Sequence, residues 1–204
     1  MNNEGVIKFK CIRQDKPVGI SKEIFQSLYN WRVKNFNARL IGAYPDGVGY
    51  GNISTRKSPD GFYITGSGTG GMEMLEEKHI SLVNGWSHEE NWVKCIGEIN
   101  ASAESLSHAA IYEAIPEAGA VIHIHHKGMW DKFIHVLPTT SPNVLYGTPK
   151  MANEVRRIAL TMTSDQDSIL VMGGHEEGII AWGKSIHEAG ETLWKYFLNY
   201  QKRN

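Results

Sequence analysis

Two histidines separated by one residue, His123-Ile124-His125, carry the strongest chemical signal in this chain of 204 residues. They close a run of small and β-branched residues, Ala120-Val121-Ile122, that reads as a strand. Side chains on a strand alternate faces, so residues two apart project from one side, and two imidazoles there can share one divalent ion. Taken alone, the pair also fits a histidine-rich strand end exposed to solvent. His175 falls in the glycine-rich turn Gly173-Gly174-His175-Glu176-Glu177-Gly178. There it is either a polar turn residue or the third ligand that two strand histidines need. Three imidazoles, with a carboxylate or water completing the shell, suit Zn²⁺ and also fit Mn²⁺, Fe²⁺ or Co²⁺. An ion with an open position polarises a carbonyl and stabilises the enolate or enediolate formed beside it.

Glu104 falls in the first turn of a helix expected over residues 102–115, where a carboxylate also suits the helix dipole. The alternative is a plain first-turn charge. His108 lies one turn further on the same face. This helix directly precedes the histidine strand, which brings its start near the strand's far end. Two further stretches, Gly51-Asn52-Ile53-Ser54 and Thr65-Gly66-Ser67-Gly68-Thr69-Gly70-Gly71, offer backbone N–H groups and hydroxyls to a phosphate or carboxylate. By themselves such stretches are more often turns, and neither ends in Gly-Lys-Ser/Thr nor matches GxGxxG.

The elements that must hold these groups alternate in type. A helix is expected over residues 21 to about 40, with Ser21 as N-cap and apolar Ile24, Leu28, Trp31 and Phe36 at helical spacing. A loop follows over residues 42–49, with Pro45-Asp46-Gly47 as its turn. Short strands are expected at 50–55 and 62–65, joined by a hairpin-type turn at Ser58-Pro59-Asp60-Gly61. Another pair is expected at 80–84 and 92–97. Pro116 ends the helix over 102–115. After the strand at 120–125 come a helical stretch near 126–135 and a loop at 138–142. Thr148 and Pro149 then open a helix to about residue 162. Strands at 168–172 and 179–182 flank the His175 turn, and an amphipathic helix over 185–200 closes the pattern. Residues 1–20 and the turn between Trp86 and Trp92 have no assignment. Helices before, between and after short strands point to one sheet with helices on its faces.

Composition narrows the partners. Hydrophobic residues make up 41% and charged residues 21%, ordinary globular usage. A formal net charge of -1 advertises neither nucleic acid nor an anionic membrane. Cys11 and Cys95 lack metal-type spacing and are too few for a disulfide framework, so they read as buried or incidental thiols in a reducing compartment. Without a signal-like N-terminus or a membrane-length apolar run, a cytoplasmic protein is expected.

The pieces together resemble the class II aldolase/adducin family over residues 21–200. The order is Gly51-Asn52-Ile53-Ser54, Ile64-Thr65-Gly66-Ser67-Gly68, Ser102-Ala103-Glu104 with His108, then Ala120 to His125, Gly147-Thr148 and Gly174-His175. The resemblance implies an α/β fold, a three-layer α/β/α sandwich around a mixed, largely antiparallel sheet, forming a single domain over residues 1–204 with 1–20 as an extension. It implies a four-fold homotetramer with sites between subunits. It implies His123, His125 and His175 as metal ligands and Glu104 as acid/base, able to ligate the ion when substrate is absent. Gly51, Asn52, Ser67, Gly68 and Ser102 match the pocket for the substrate's phosphate. One divalent ion per chain follows, with Zn²⁺ the first expectation.

Departures from the pattern bear on the substrate. Ser102-Ala103 replaces a Ser-Ser and Asn100-Ala101 replaces a Lys-Pro, which removes a hydroxyl donor and a cation near the phosphate. No tyrosine stands where the aldolase proton donor comes, which leaves Tyr146, His126 or His135 as substitutes. The expected activity is cleavage or formation of a carbon–carbon bond beside the carbonyl of a small hydroxylated sugar or sugar phosphate. A 4-epimerase, a dehydratase of a phosphorylated thio-sugar and a non-catalytic adducin-like module are the alternatives. Epimerases tend to carry Asp where Glu104 stands. A cupin-like oxygenase also uses HxH with a distant His, but that fold is all-β and the helical stretches oppose it.

Overall fold

A computed structural model describes residues 5–57, 61–163 and 166–202. Strands β1 (Lys10–Gln14), β4 (Asn52–Arg56), β5 (Phe62–Thr65), β6 (Ile80–Ser87), β7 (Trp92–Ile96), β8 (Ala120–His125), β9 (Ile169–Val171) and β10 (Gly178–Gly183) form one sheet. Its order is β1-β7-β6-β5-β4-β8-β10-β9. Neighbours run antiparallel except β1 and β7, which are parallel. Two short strands, β2 (Gly42–Ala43) and β3 (Gly49–Tyr50), pair separately.

Among the described residues, five α-helices cover the two faces: α1 (Lys22–Asn37), α2 (Ser105–Ala114), α3 (Lys127–Phe133), α4 (Pro149–Thr161) and α5 (Ile186–Gln201). Strand alternation sorts the core into two layers. Ile53, Ile122, Ile124, Ile179 and Ala181 pack with Leu28 and Trp31 of α1, Met129 of α3 and Leu193 and Phe197 of α5. Val121, Leu170, Ile180 and Trp182 pack on the other side with Leu106 and Ala110 of α2 and Val155 and Ile158 of α4. The result is a three-layer α/β/α sandwich. Each fully buried Ile or Val side chain stabilises it by about 1.5–3 kcal/mol. Strand β8 sits centrally, buried along its whole length between β4 and β10. Residues 123 and 125 share Val121's face, the side covered by α2 and α4.

Local chemistry explains where the helices start. The hydroxyls of Ser21, Thr148 and Ser185 accept from the amides of Ile24, Met151 and Glu188 at 3.3, 3.3 and 3.2 Å. Pro149 occupies the first turn of α4, where its missing N–H is harmless.

Several expectations need correction. Residues 10–14 form the parallel edge strand rather than an unassigned extension. The expected loop over 42–49 contains β2, and the strand expected over 50–55 is broken at Gly51, whose φ is +74°. A side chain there would come within 2.7 Å of Ile41 and 3.1 Å of the His123 carbonyl, so the kink beside β8 requires glycine. Helix α2 begins at Ser105, which places Glu104 just before it rather than inside its first turn. The strand expected to end at residue 84 runs on to Ser87. Most of the expected hairpin turn, Ser58-Pro59-Asp60, lies outside the described residues. Cys11 and Cys95 are free thiols, with sulfurs 3.9 Å apart. No described helix is long and apolar enough to cross a membrane.

Candidate active site

One cavity collects residues that lie far apart in the chain. Gly51 and Asn52 enter it from the start of β4, Ser67 and Gly68 from the loop after β5, Ser102 and Glu104 from the approach to α2, and His123 and His125 from β8. His175 stands beside them, its ring centroid 4.6 Å from that of His125 and 5.2 Å from that of His123. Register explains part of this convergence, because Asn52 faces His123 across the β4–β8 ladder.

The three histidines offer ligand nitrogens within 4.8 Å of one another, and all three are buried. Their hydrogen bonds decide which nitrogens face inward. His123 Nδ1 lies 3.1 Å from the Ile179 carbonyl, to which only a protonated nitrogen can bond. His125 Nδ1 lies 2.8 Å from the Tyr44 hydroxyl, which donates to Glu177 Oε2 at 2.8 Å. The Tyr44 oxygen therefore accepts from His125 Nδ1. Both Nε2 atoms are left as lone pairs facing each other across 3.0 Å, an arrangement that a shared cation relieves. Burial pushes both imidazoles well below the ordinary histidine range, and the adjacent His175 pushes them further. Neutral imidazoles are the ligand-competent form, so this donor set fits a divalent ion.

Glu104 is 4% exposed at the foot of α2. The Ser102 hydroxyl accepts from its amide at 3.3 Å, and the Ser107 hydroxyl donates to its Oε2 at 2.7 Å. Ser102 thus turns the chain into the helix, and Ser107 fixes the carboxylate's orientation. His108 takes no place in the cavity. It is fully buried, with Nδ1 2.7 Å from Ser54 Oγ, and it joins α2 to β4.

The glycine-rich loop is less open than its sequence suggests. The amides of Gly66, Ser67 and Thr69 are committed to the carbonyls of His79, Asn100 and Gly66. The buried Arg32 guanidinium donates to the carbonyls of Thr69, Gly70 and Glu73 at 3.2, 2.9 and 3.0 Å, which ties the loop to α1. Ser67 and Gly68 line the cavity. Asn52 Oδ1 is buried without a partner among the described residues. Such an acceptor costs about 1–3 kcal/mol unless a ligand donates to it.

Two aromatic rings wall the site, and of these Tyr50 was not legible as a site residue. Tyr50 stacks on His125 at 5.4 Å, and Tyr146 stacks on His175 at 4.6 Å. Lys8 lies over the Tyr146 ring at 3.3 Å and donates to its carbonyl at 3.1 Å. Of the three suggested substitutes for a proton donor, Tyr146 lines the cavity. His126 points to the other face and caps α3, its Nδ1 accepting from Met129 N at 3.2 Å. His135 is exposed in the turn after α3. Tyr44, Glu177 and Arg32 have no spacing signal, since each works through a partner distant in sequence.

Known proteins resemble this chain in sequence and in fold. A methylthioribulose-1-phosphate dehydratase of Leptospira biflexa is 26% identical over 179 residues, covering 70% of this chain and 80% of the relative. An L-fuculose-1-phosphate aldolase of Thermus thermophilus superposes with a TM-score of 0.65 at 20% identity, over 89% of this chain and 92% of that one. A second L-fuculose 1-phosphate aldolase gives 0.68 at 19% identity, over 90% and 85%. The likeness to these two structures establishes the fold. Residues 45–196 match the family described as class II aldolase and adducin N-terminal domain. With that match spanning most of its length, the chain belongs to the class II aldolase/adducin family.

Proposed function

We propose that this chain is a metal-dependent lyase that moves a proton at the carbon beside a carbonyl in a small hydroxylated sugar phosphate, with loss of water as the outcome. One observation carries the reading: the orientationally fixed carboxylate of Glu104 lines the same cavity as the facing Nε2 atoms of His123 and His125. His123, His125 and His175 would hold a divalent ion, which would supply Lewis-acid chemistry beside the substrate carbonyl. Glu104 accepts the proton from carbon, and Ser107 keeps the carboxylate aimed. The hydroxyl on the next carbon then departs as water once protonated. Ser67, Gly68, Ser102, Gly51 and Asn52 hold the phosphate end, and Asn52 Oδ1 accepts a substrate hydroxyl.

The dehydration branch draws its support from the relative named methylthioribulose-1-phosphate dehydratase. Carbon–carbon cleavage, the reaction expected from sequence, is the second reading. It uses the same carboxylate, and Tyr146 is favoured as its further proton-carrying group because it lines the cavity. The reading also carries one ion per chain, Zn²⁺ first by donor set, and a homotetramer of single-domain subunits acting in the cytoplasm.

The test is turnover by the metal-replete protein. Methylthioribulose-1-phosphate should lose water, and the Glu104→Gln variant should not support this. Cleavage of sugar 1-phosphates to dihydroxyacetone phosphate without dehydration would move the assignment to the aldolase branch. No turnover of either class by metal-loaded protein would overturn the enzyme reading in favour of an adducin-like interaction module.

A further inference from the structure

We propose that Tyr44 and Glu177 are positioning residues that form one relay, orienting His125 as a metal ligand and coupling it to the turn that carries His175. The inference rests on the metal-site reading above and adds two residues to it. Tyr44 has a single hydroxyl proton, and Glu177 Oε2 receives it at 2.8 Å. Only a lone pair remains for His125 Nδ1, also 2.8 Å away, so that nitrogen must carry its hydrogen and Nε2 must be the ligand atom. The carboxylate therefore selects the histidine tautomer at second hand and increases the basicity of its ligating nitrogen.

Both ends of the relay are anchored. The Tyr44 amide donates to the Val48 carbonyl at 2.9 Å, and the Tyr44 carbonyl accepts from Gly47 N at 2.9 Å, which pins the small turn before β3. The Glu177 carbonyl accepts from His126 N at 2.9 Å, immediately beyond β8. Glu177 also holds φ at +71°, a left-handed conformation that suits glycine and that residues with a side chain seldom adopt. The surrounding structure keeps this unfavourable backbone together with a side chain whose carboxylate reaches Tyr44. Because Glu177 follows His175 by two residues, the path from His175 through its turn, Glu177 and Tyr44 returns to His125. Two of the three ligands are thereby held by one network, although they come from different elements.

The test measures metal affinity rather than turnover. Tyr44→Phe, Glu177→Ala, Glu177→Gly and the Tyr44→Phe/Glu177→Ala double variant are titrated with Zn²⁺ against a chromophoric chelator. The visible spectrum of the Co²⁺-loaded forms reads ligand geometry. Each single variant is expected to lose about 10–100-fold in affinity. The double variant should lose little more than the weaker-binding single one, because both substitutions cut one chain. Glu177→Gly should also leave the metal-free melting temperature unchanged or raised while weakening metal binding, a pairing that general loss of packing does not produce. Unchanged affinity and Co²⁺ spectrum in Tyr44→Phe and Glu177→Ala would overturn the inference, and so would fully additive losses. A wild-type protein that takes up no metal would overturn the metal-site reading itself, and this inference with it.

Discussion

Acidifying the metal-free protein tests how the buried histidine at the heart of the α2 face is held. His108 is 0% exposed, bonded through Nδ1 to Ser54 Oγ at 2.7 Å, while Ser54 also lies 2.8 Å from the Tyr112 hydroxyl. Burial pushes its pKa from 6.5 down to about 3. In that interval the unfolded chain binds a proton that the native state refuses, so stability falls as pH drops below about 6.5 and is unaffected above it. Between about pH 7.5 and about pH 5, this one group should remove about 2 kcal/mol. The magnitude depends on the unfolded value, because pH 5 still lies well above the folded one. His123 and His125 shift in the same direction, so the whole-protein loss is larger. His108→Asn separates the contributions, since its amide can still reach Ser54 but does not titrate. Urea unfolding of both proteins at the two pH values is the assay, with metal removed by chelation. The wild type should lose about 2 kcal/mol more than the variant over this range. Parallel losses would refute the claim that His108 is buried neutral.

Three further outcomes are expected. The wild type is expected to hold about one equivalent of metal per chain, and His123→Ala or His175→Ala should abolish it, as read by elemental mass spectrometry; full retention would remove the ligand assignment. Glu104→Gln should keep the metal while slowing turnover by about 10²–10⁴-fold; an active variant would leave Glu104 without a proton-transfer role. Gly51→Ala, forced to φ +74° with its Cβ 2.7 Å from Ile41, should lower the melting temperature through a loss on the order of 1–2 kcal/mol or more.

The histidine strand and the caps at Ser21 and Thr148 could be read in advance because their signals are local. Alternation at Ala120–His125 places His123 and His125 on one face whatever the rest of the chain does. Ser21, Thr148 and Ser185 cap helices through amides only three residues away. The start of α2 was misplaced by a similarly local effect: Ser102 makes a turn before the helix, and Glu104 stands at the junction.

Other features depend on which strands become neighbours. Strand β1 is an exposed edge with alternating burial, and its parallel partner β7 lies some eighty residues away, so its pattern alone does not separate it from a loop. Tyr44 and Glu177 are 133 residues apart, and no periodicity links a phenol in one turn to a carboxylate in another. The register of β4, β8 and β10 brings Asn52, His123 and Ile180 side by side, and packing of α2 on that face adds Glu104. The candidates for chemistry were therefore named from neighbouring positions along the chain. How they are aimed, and which nitrogen His123 and His125 present, follows from hydrogen bonds that exist only after distant segments have packed together.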